Sequence, residues 1–229
     1  MPSGGRPRDR AGDRAPALIA HRGASGRAPE NTIAAFDRAL ADGADVLELD
    51  VRVCRAGGML CVHDPLPEDG IAGPGPPALE DVLDRYGAGT RYLVDLKDPD
   101  PAWERRVVDA IARRGLERRA MIQSFDVSAL ARLHDAARWL AIAALYRRAG
   151  SVGLDVAAIP PFARAVGVHH PNVDAAFVAR AHARGLAVHP WTVDDAAEAQ
   201  RLVALGVDGV ITNLPDVVAP VVRPAALAA

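Results

Sequence analysis

The 229-residue sequence predicts an α/β fold, a (β/α)8 barrel with a short β-hairpin extension after its second strand. Three observations lead there. Short β-branched and apolar runs alternate with amphipathic segments almost to the end of the chain. Those runs are continuously apolar, as in strands of a parallel sheet covered on both faces. Eight such units favour a closed barrel over an open doubly wound sheet, and no Gly-x-Gly-x-x-Gly follows the first strand to suggest a dinucleotide site.

The predicted barrel strands are residues 18–21, 45–51, 92–96, 120–124, 140–145, 165–169, 187–191 and 209–212. Helical periodicity covers 32–42, 78–86, 102–114, 127–137, 173–184 and 194–205, while 146–163 gives a weak signal interrupted by Pro160-Pro161. Gly43, Gly115, Gly185 and Gly206 stand just past helical patterns, where a left-handed cap belongs. Asp126 and Asp194 occupy expected N-cap positions. A ninth strand-like run, 59–63, follows the second strand too closely for a helical crossover and must return as a hairpin. A turn at Gly57-Gly58 would set the two cysteines, Cys54 and Cys61, opposite each other. A disulfide is conceivable there, although two small buried thiols are the simpler reading in a reducing compartment.

Half the residues are apolar, and barrels of this kind run to ~200–250 residues without dividing, so one domain is expected at 17–222. Residues 1–16, rich in Arg, Gly and Pro, read as a disordered arm without the apolar core of a secretory signal, and 223–229 as a tail. The Pro- and Gly-rich stretch 65–77 reads as a loop. With 27 Lys+Arg against 29 Asp+Glu, the net charge of −2 offers no basic field for nucleic acid. No apolar run of ~18 residues suggests stable membrane insertion. These features point to a cytoplasmic protein; the oligomeric state leaves no mark.

Barrel enzymes do their chemistry at the C-terminal ends of the strands. His21 ends the first predicted strand, Glu48 and Asp50 the second, Asp95 and Lys97 the third, and Trp191 the seventh. Residues two apart on a strand project to the same side, so Glu48 and Asp50 point together into the barrel mouth, as do Asp95 and Lys97. Three carboxylates without cysteine suit a hard cation, Mg²⁺ or Ca²⁺ with Mn²⁺ as a further option. The competing reading is a structural ion-pair network with Lys97 and Arg22, but charges in an apolar strand cost several kcal/mol unless compensated. His21 and His63 are candidates for general base and general acid, because imidazole titrates near neutral pH. Arg22 and Lys97 can hold phosphate oxygens. His134 and His182 read as solvated, His189 as an interior residue, and His169 or His170 as able to reach substrate. Asn31 and Thr32 read as a helix cap, with Glu30 supporting a neighbouring group.

These pieces together resemble the glycerophosphodiester phosphodiesterase family. The matching residues are His21-Arg22-Gly23, Pro29-Glu30-Asn31-Thr32, Glu48-Leu49-Asp50, His63-Asp64, Pro77-Ala78-Leu79-Glu80-Asp81-Val82-Leu83, Asp95-Leu96-Lys97, Trp191-Thr192-Val193 and the stretch 206–216. The resemblance implies a TIM barrel in which Glu48, Asp50 and Asp95 bind a divalent metal. His21 and His63 would be the acid/base pair, with Arg22, Lys97 and Trp191 on the substrate. It implies hydrolysis of a glycerophosphodiester to sn-glycerol 3-phosphate and an alcohol through a cyclic phosphate. Alternatives are a phosphodiesterase acting on lysophospholipids and a non-catalytic barrel that binds phosphate esters. Three departures from the family pattern stand out: Asp95 replaces a usual Glu, the insertion after His63-Asp64 shrinks to 65–77, and Asn213 replaces a common Asp.

Overall fold

The computed structural model describes residues 15–54, 57–65, 75–147 and 155–223. The expected arm at 1–16 lies outside them except for its last two residues, as do most of the 65–77 loop and of the 223–229 tail.

Eight parallel strands form the barrel wall: β1 (Ala17–Ala20), β2 (Val46–Val53), β4 (Arg91–Leu96), β5 (Ala120–Ser124), β6 (Ala141–Tyr146), β7 (Ala165–His169), β8 (Ala187–Trp191) and β9 (Gly209–Thr212). They follow the order β8-β7-β6-β5-β4-β2-β1-β9, with β3 (Met59–Cys61) paired antiparallel on β2. Continuous ladders join each neighbour except β8 and β9. That seam is closed by single backbone bonds, Asp208 N–H to the Val188 carbonyl at 3.0 Å and Val193 N–H to the Ile211 carbonyl at 2.9 Å.

Helices α1 (Ile33–Ala41), α2 (Leu79–Tyr86), α3 (Pro101–Ala112), α4 (Val127–Ala136), α5 (Ala175–Ala183), α6 (Ala196–Ala204) and α7 (Pro215–Val222) surround the wall. Their starts follow elementary capping chemistry. The Thr32, Asp100, Asp126, Asp174 and Asp195 side chains each accept a first-turn N–H. Gly43, Gly115, Gly185 and Gly206 take positive φ past the helix ends, as their positions required.

The core divides in two, as a closed barrel demands. Leu47, Leu49 and Val51 on the outer side of β2 join the large apolar layer under the helices, with Phe36 and Phe177 fully buried in it. Inside the barrel a small separate cluster of Ile19, Val46, Leu93 and Ile211 packs against Met121 and Trp191. This plug forms the floor beneath the polar residues of the mouth.

The structure corrects several sequence expectations. The hairpin register pairs Val51 with Cys61 and Val53 with Met59, while the Cys54 N–H donates to the Gly58 carbonyl and the Cys54 carbonyl accepts the Gly57 N–H. A left-handed Gly57 (φ 86) closes a longer turn than the two-residue one expected. Cys54 and Cys61 are therefore not opposed and both are free; Cys61 is buried but Cys54 only half-buried. β2 runs beyond the expected end at Val51 to Val53 because β3 continues to pair with it. His63 lies past the end of β3. Asp195, not Asp194, caps α6. Helix α7 went unrecognised because Pro215 and Pro220 mask its periodicity, although proline suits the first helical turn. Among the described residues of 147–163 the only helical element is a 3₁₀ turn, Val156–Ala158. His134 stacks on Phe162 at 4.6 Å and His182 meets Asp208 at 2.8 Å, so neither is simply solvated.

Candidate metal and phosphodiester site

Alternation along β2 sends Val46, Glu48 and Asp50 inward, and the ladder to β4 sets Asp50 directly beside Asp95. Glu48, Asp50 and Asp95 are all buried, and each offers an oxygen within 4.8 Å of the others. Around them the protein gathers donors. The Arg22 N–H reaches Glu48 Oε2 at 2.8 Å, and Gln123 Nε2 on β5 donates to Glu48 Oε1 at 3.2 Å. Asn31 Nδ2 donates to Asp50 Oδ2 at 2.9 Å and its Oδ1 accepts the Asp50 N–H. Lys97 bridges Asp50 at 2.8 Å and Asp95 at 2.6 Å, and Arg22 Nε meets Asp50 at 3.0 Å. Glu30 Oε2 holds the other arm of Arg22 at 2.8 Å.

Two residues reach these positions through left-handed backbone, Arg22 (φ 57) and Asn31 (φ 56). Such conformations cost on the order of 1 kcal/mol each and persist only where surrounding bonds enforce them. Here they aim the Arg22 N–H at Glu48 and seat Asn31 against Asp50.

The ion pairs do not exhaust the negative charge, since three carboxylates face two cations. Burial, with Asp50 and Asp95 nearby, pushes Glu48 well above the usual carboxylate range. Burial likewise raises Asp95, whose Oδ1 is buried without a partner. Asp50 is burdened by burial too, but Lys97 and Arg22 outweigh that and hold it low. An unsatisfied, all-oxygen cluster of this kind fits a hard divalent cation, and these residues can bind one. The competing ion-pair network is present as well, and it leaves this remainder uncompensated.

His21 lies just past β1 with Nδ1 2.7 Å from Asn213 Oδ1. Burial first, then Arg22, pull its pKa below the ordinary 6.5. His63 Nδ1 meets Asp64 at 2.8 Å, and its ring is close enough to Asp95 to favour that carboxylate's charge. Across the mouth from β2 and β4 stands an aromatic wall. Trp191 packs edge-on to Phe125 at 5.9 Å and against His169 at 5.5 Å, over the bare Cα of Gly167. His170 turns away to Glu198 at 2.7 Å. His189 stands inside the barrel, where burial pushes it down to about 4.

Sequence reading missed Gln123, Asn31 as a partner of Asp50, and the group Ser25, Asp194 and Asn213. A signal existed for Gln123, an amide inside the apolar run of β5. Another existed for Asp194, the unneeded member of an Asp-Asp pair before α6.

Fold and site together define a (β/α)8 barrel with a buried cluster of carboxylate oxygens at its mouth that could hold a divalent cation. The chain belongs to the Glycerophosphoryl diester phosphodiesterase family, whose profile matches residues 21–98 and 67–217. It is 30% identical over 245 residues to the glycerophosphodiester phosphodiesterase of Caldanaerobacter subterraneus subsp. tengcongensis, covering 90% of this chain and 97% of the relative. The glycerophosphodiester phosphodiesterase of Bacillus subtilis is 28% identical over 86% of this chain and 83% of its own length. Among solved structures, a glycerophosphodiester phosphodiesterase from Parabacteroides distasonis superposes with TM-score 0.79 at 22% identity, over 92% of this chain and 98% of that one. An Oleispira antarctica phosphodiesterase in complex with its product sn-glycerol-3-phosphate gives 0.74 at 23% identity, over 91% and 97%.

Proposed function

We propose that this protein hydrolyses glycerophosphodiesters to sn-glycerol 3-phosphate and an alcohol. The observation that carries the reading is the buried Glu48–Asp50–Asp95 cluster with its unpartnered Asp95 oxygen, flanked by His21 and His63. Family membership supports it, as does the glycerol phosphate held by the Oleispira relative.

Glu48, Asp50 and Asp95 would hold a divalent cation, Mg²⁺ or Ca²⁺, which supplies Lewis acidity toward the glycerol hydroxyl and offsets charge on phosphoryl oxygens. One histidine removes the proton of the hydroxyl adjacent to the phosphate, and that oxygen bonds to phosphorus. The bond from phosphorus to the alcohol oxygen breaks, and the second histidine protonates the departing oxygen. Water then adds to the cyclic phosphate with the roles exchanged, and the ring P–O bond opens. Arg22 and Lys97, which here pair with Asp50, would steady the phosphoryl oxygens. Trp191 and Phe125 offer an apolar face to the carbon skeleton.

Purified protein given glycerophosphocholine and glycerophosphoglycerol should release sn-glycerol 3-phosphate. Chelator should abolish the release, and Mg²⁺ or Ca²⁺ should restore it. His21→Ala and His63→Ala should each lower the rate by about 10²-fold or more with the fold retained. Binding of phosphate esters without turnover would overturn the reading. A tailed substrate is the second reading, favoured by Phe125 and Val127, which are 41% and 40% exposed beside the mouth. Turnover confined to lysophospholipids would select it.

A further inference from the structure

We propose that Asn213 is a positioning residue that fixes the tautomer of His21, so that Nδ1 carries the proton and Nε2 is the proton acceptor. The proposal rests on the acid/base reading above and assigns its roles: His21 is the base of the first step and His63 the acid.

The assignment follows from which atoms can donate. Asp194 stands between β8 and α6, and its carboxylate only accepts. It takes the Asn213 N–H at 2.7 Å, Asn213 Nδ2 at 2.7 Å and Thr212 Oγ1 at 3.0 Å. The Asn213 amide therefore cannot flip, because flipping would press Oδ1 against that carboxylate. Oδ1 is left facing His21 Nδ1 at 2.7 Å and Ser25 Oγ at 2.7 Å. Ser25 has one hydroxyl hydrogen and also faces the His21 carbonyl at 2.8 Å, so it alone cannot satisfy both oxygens. Only Nδ1–H on His21 completes the set. Nε2 then keeps its lone pair, which a base requires.

Charge points the same way. The groups facing His21 are Arg22 beside it, Asp50 on β2, Lys97 past β4 and the neutral Asn213 amide. Two cations oppose one carboxylate, and burial further disfavours the imidazolium. A neutral amide at 213 orients the ring and favours the imidazolium less than a carboxylate would, and burial and Arg22 outweigh that pull. The reading gives a reason for Asn where the family pattern has a common Asp.

The test begins with ¹⁵N NMR of the full-length protein without substrate, the His21 ring assigned by comparison with His21→Asn. The expected signature is a neutral ring with Nδ1 protonated; an Nε2–H tautomer overturns the proposal. Asp194→Asn frees the Asn213 amide to turn and should move His21 toward Nε2–H; an unchanged tautomer counts against the relay. Asn213→Leu keeps the volume but removes the acceptor. It should lower kcat about ten- to a hundredfold while KM stays within about twofold, with the cation-induced rise in Tm intact. A wild-type kcat in Asn213→Leu overturns the proposal, and failure of that variant to fold leaves the wild-type spectrum to decide. Absence of turnover by wild-type protein would instead remove the proposed function, leaving the tautomer measurement to stand or fall on its own.

Discussion

Asp50 and Asp95 occupy one rung of the β2–β4 ladder, two carboxylates side by side in the barrel interior with Lys97 bridging them. Like charges directly opposed across strands are destabilising, and with Glu48 beside them Lys97 and Arg22 cannot neutralise all three carboxylates. A cation bound there should therefore stabilise the fold markedly. At a concentration of about 100 Kd the gain is ~2.7 kcal/mol, a rise in Tm of roughly 5–10 °C for a chain of this size. Scanning calorimetry with Mg²⁺ or Ca²⁺, against chelator, reads it directly. Asp95→Asn should lose most of the rise; a full rise in that variant would take Asp95 out of the cation site.

Glu48 makes the pH dependence of the cation-free protein testable. Burial and its carboxylate neighbours raise its folded pKa above the ordinary 4.5. A carboxylate raised on folding contributes its full stability below the unfolded value and loses it as pH climbs through the folded one. Glu48→Gln removes that loss. Without divalent ions the variant should match wild type near pH 4 and exceed it at neutral pH by about 1 kcal/mol, the scale of an imperfectly paired buried polar group. With the ion present the order should reverse. Denaturant titrations at several pH values decide it, and a variant less stable than wild type at neutral pH without metal contradicts the account.

On the proposed mechanism, His21 sets the acid side of activity. Its imidazole must be unprotonated to accept a proton, and burial together with Arg22 lowers its pKa. The acid limb of kcat/KM should accordingly lie below 6.5, the ordinary histidine value. A limb at or above that value would mean that His21 is not held neutral.

Gly23 fixes how the His21–Arg22 segment leaves the barrel. Its φ is +79, and an added Cβ would sit 2.6 Å from the Ala35 carbonyl carbon and 2.7 Å from its oxygen, both backbone of α1. Neither can yield cheaply. Gly23→Ala should cost about 2–4 kcal/mol, combining left-handed strain with displacement of a helix. It should also weaken cation binding, because the Arg22 N–H would lose its aim at Glu48. Urea unfolding that shifts by less than about 0.5 kcal/mol would show the clash is relieved elsewhere.

Much of the barrel was legible in the sequence because a parallel strand buried on both faces has a plain signature. The ranges of β5, β7, β8 and β9 match their apolar runs residue for residue. The carboxylate pair was legible because strand periodicity alone places Glu48 and Asp50 on one side. What escaped were polar residues whose partners lie far along the chain. Asn31 has a local reading as a cap neighbour, and nothing nearby announces Asp50, 19 positions on. Gln123 meets Glu48 only through the register of β2, β4 and β5. The hairpin register slipped because two adjacent glycines suggested a tight turn, whereas only Gly57 takes the left-handed conformation and the strands close around it.

The seam between β8 and β9 has a consequence for how this barrel breathes. Where a ladder is missing, side chains fasten the wall at both rims. Asp208 accepts Val188 N–H and meets His182 at one end, and Asp194 gathers Thr212 and Asn213 at the other. Amide exchange should start at Val193 and Asp208 before it reaches the rest of the cylinder. The upper fastening is the same cluster that seats the His21 ring. Fluctuations that part these two staves would also unseat the ring, so wear on the scaffold and wear on the chemistry would arrive together.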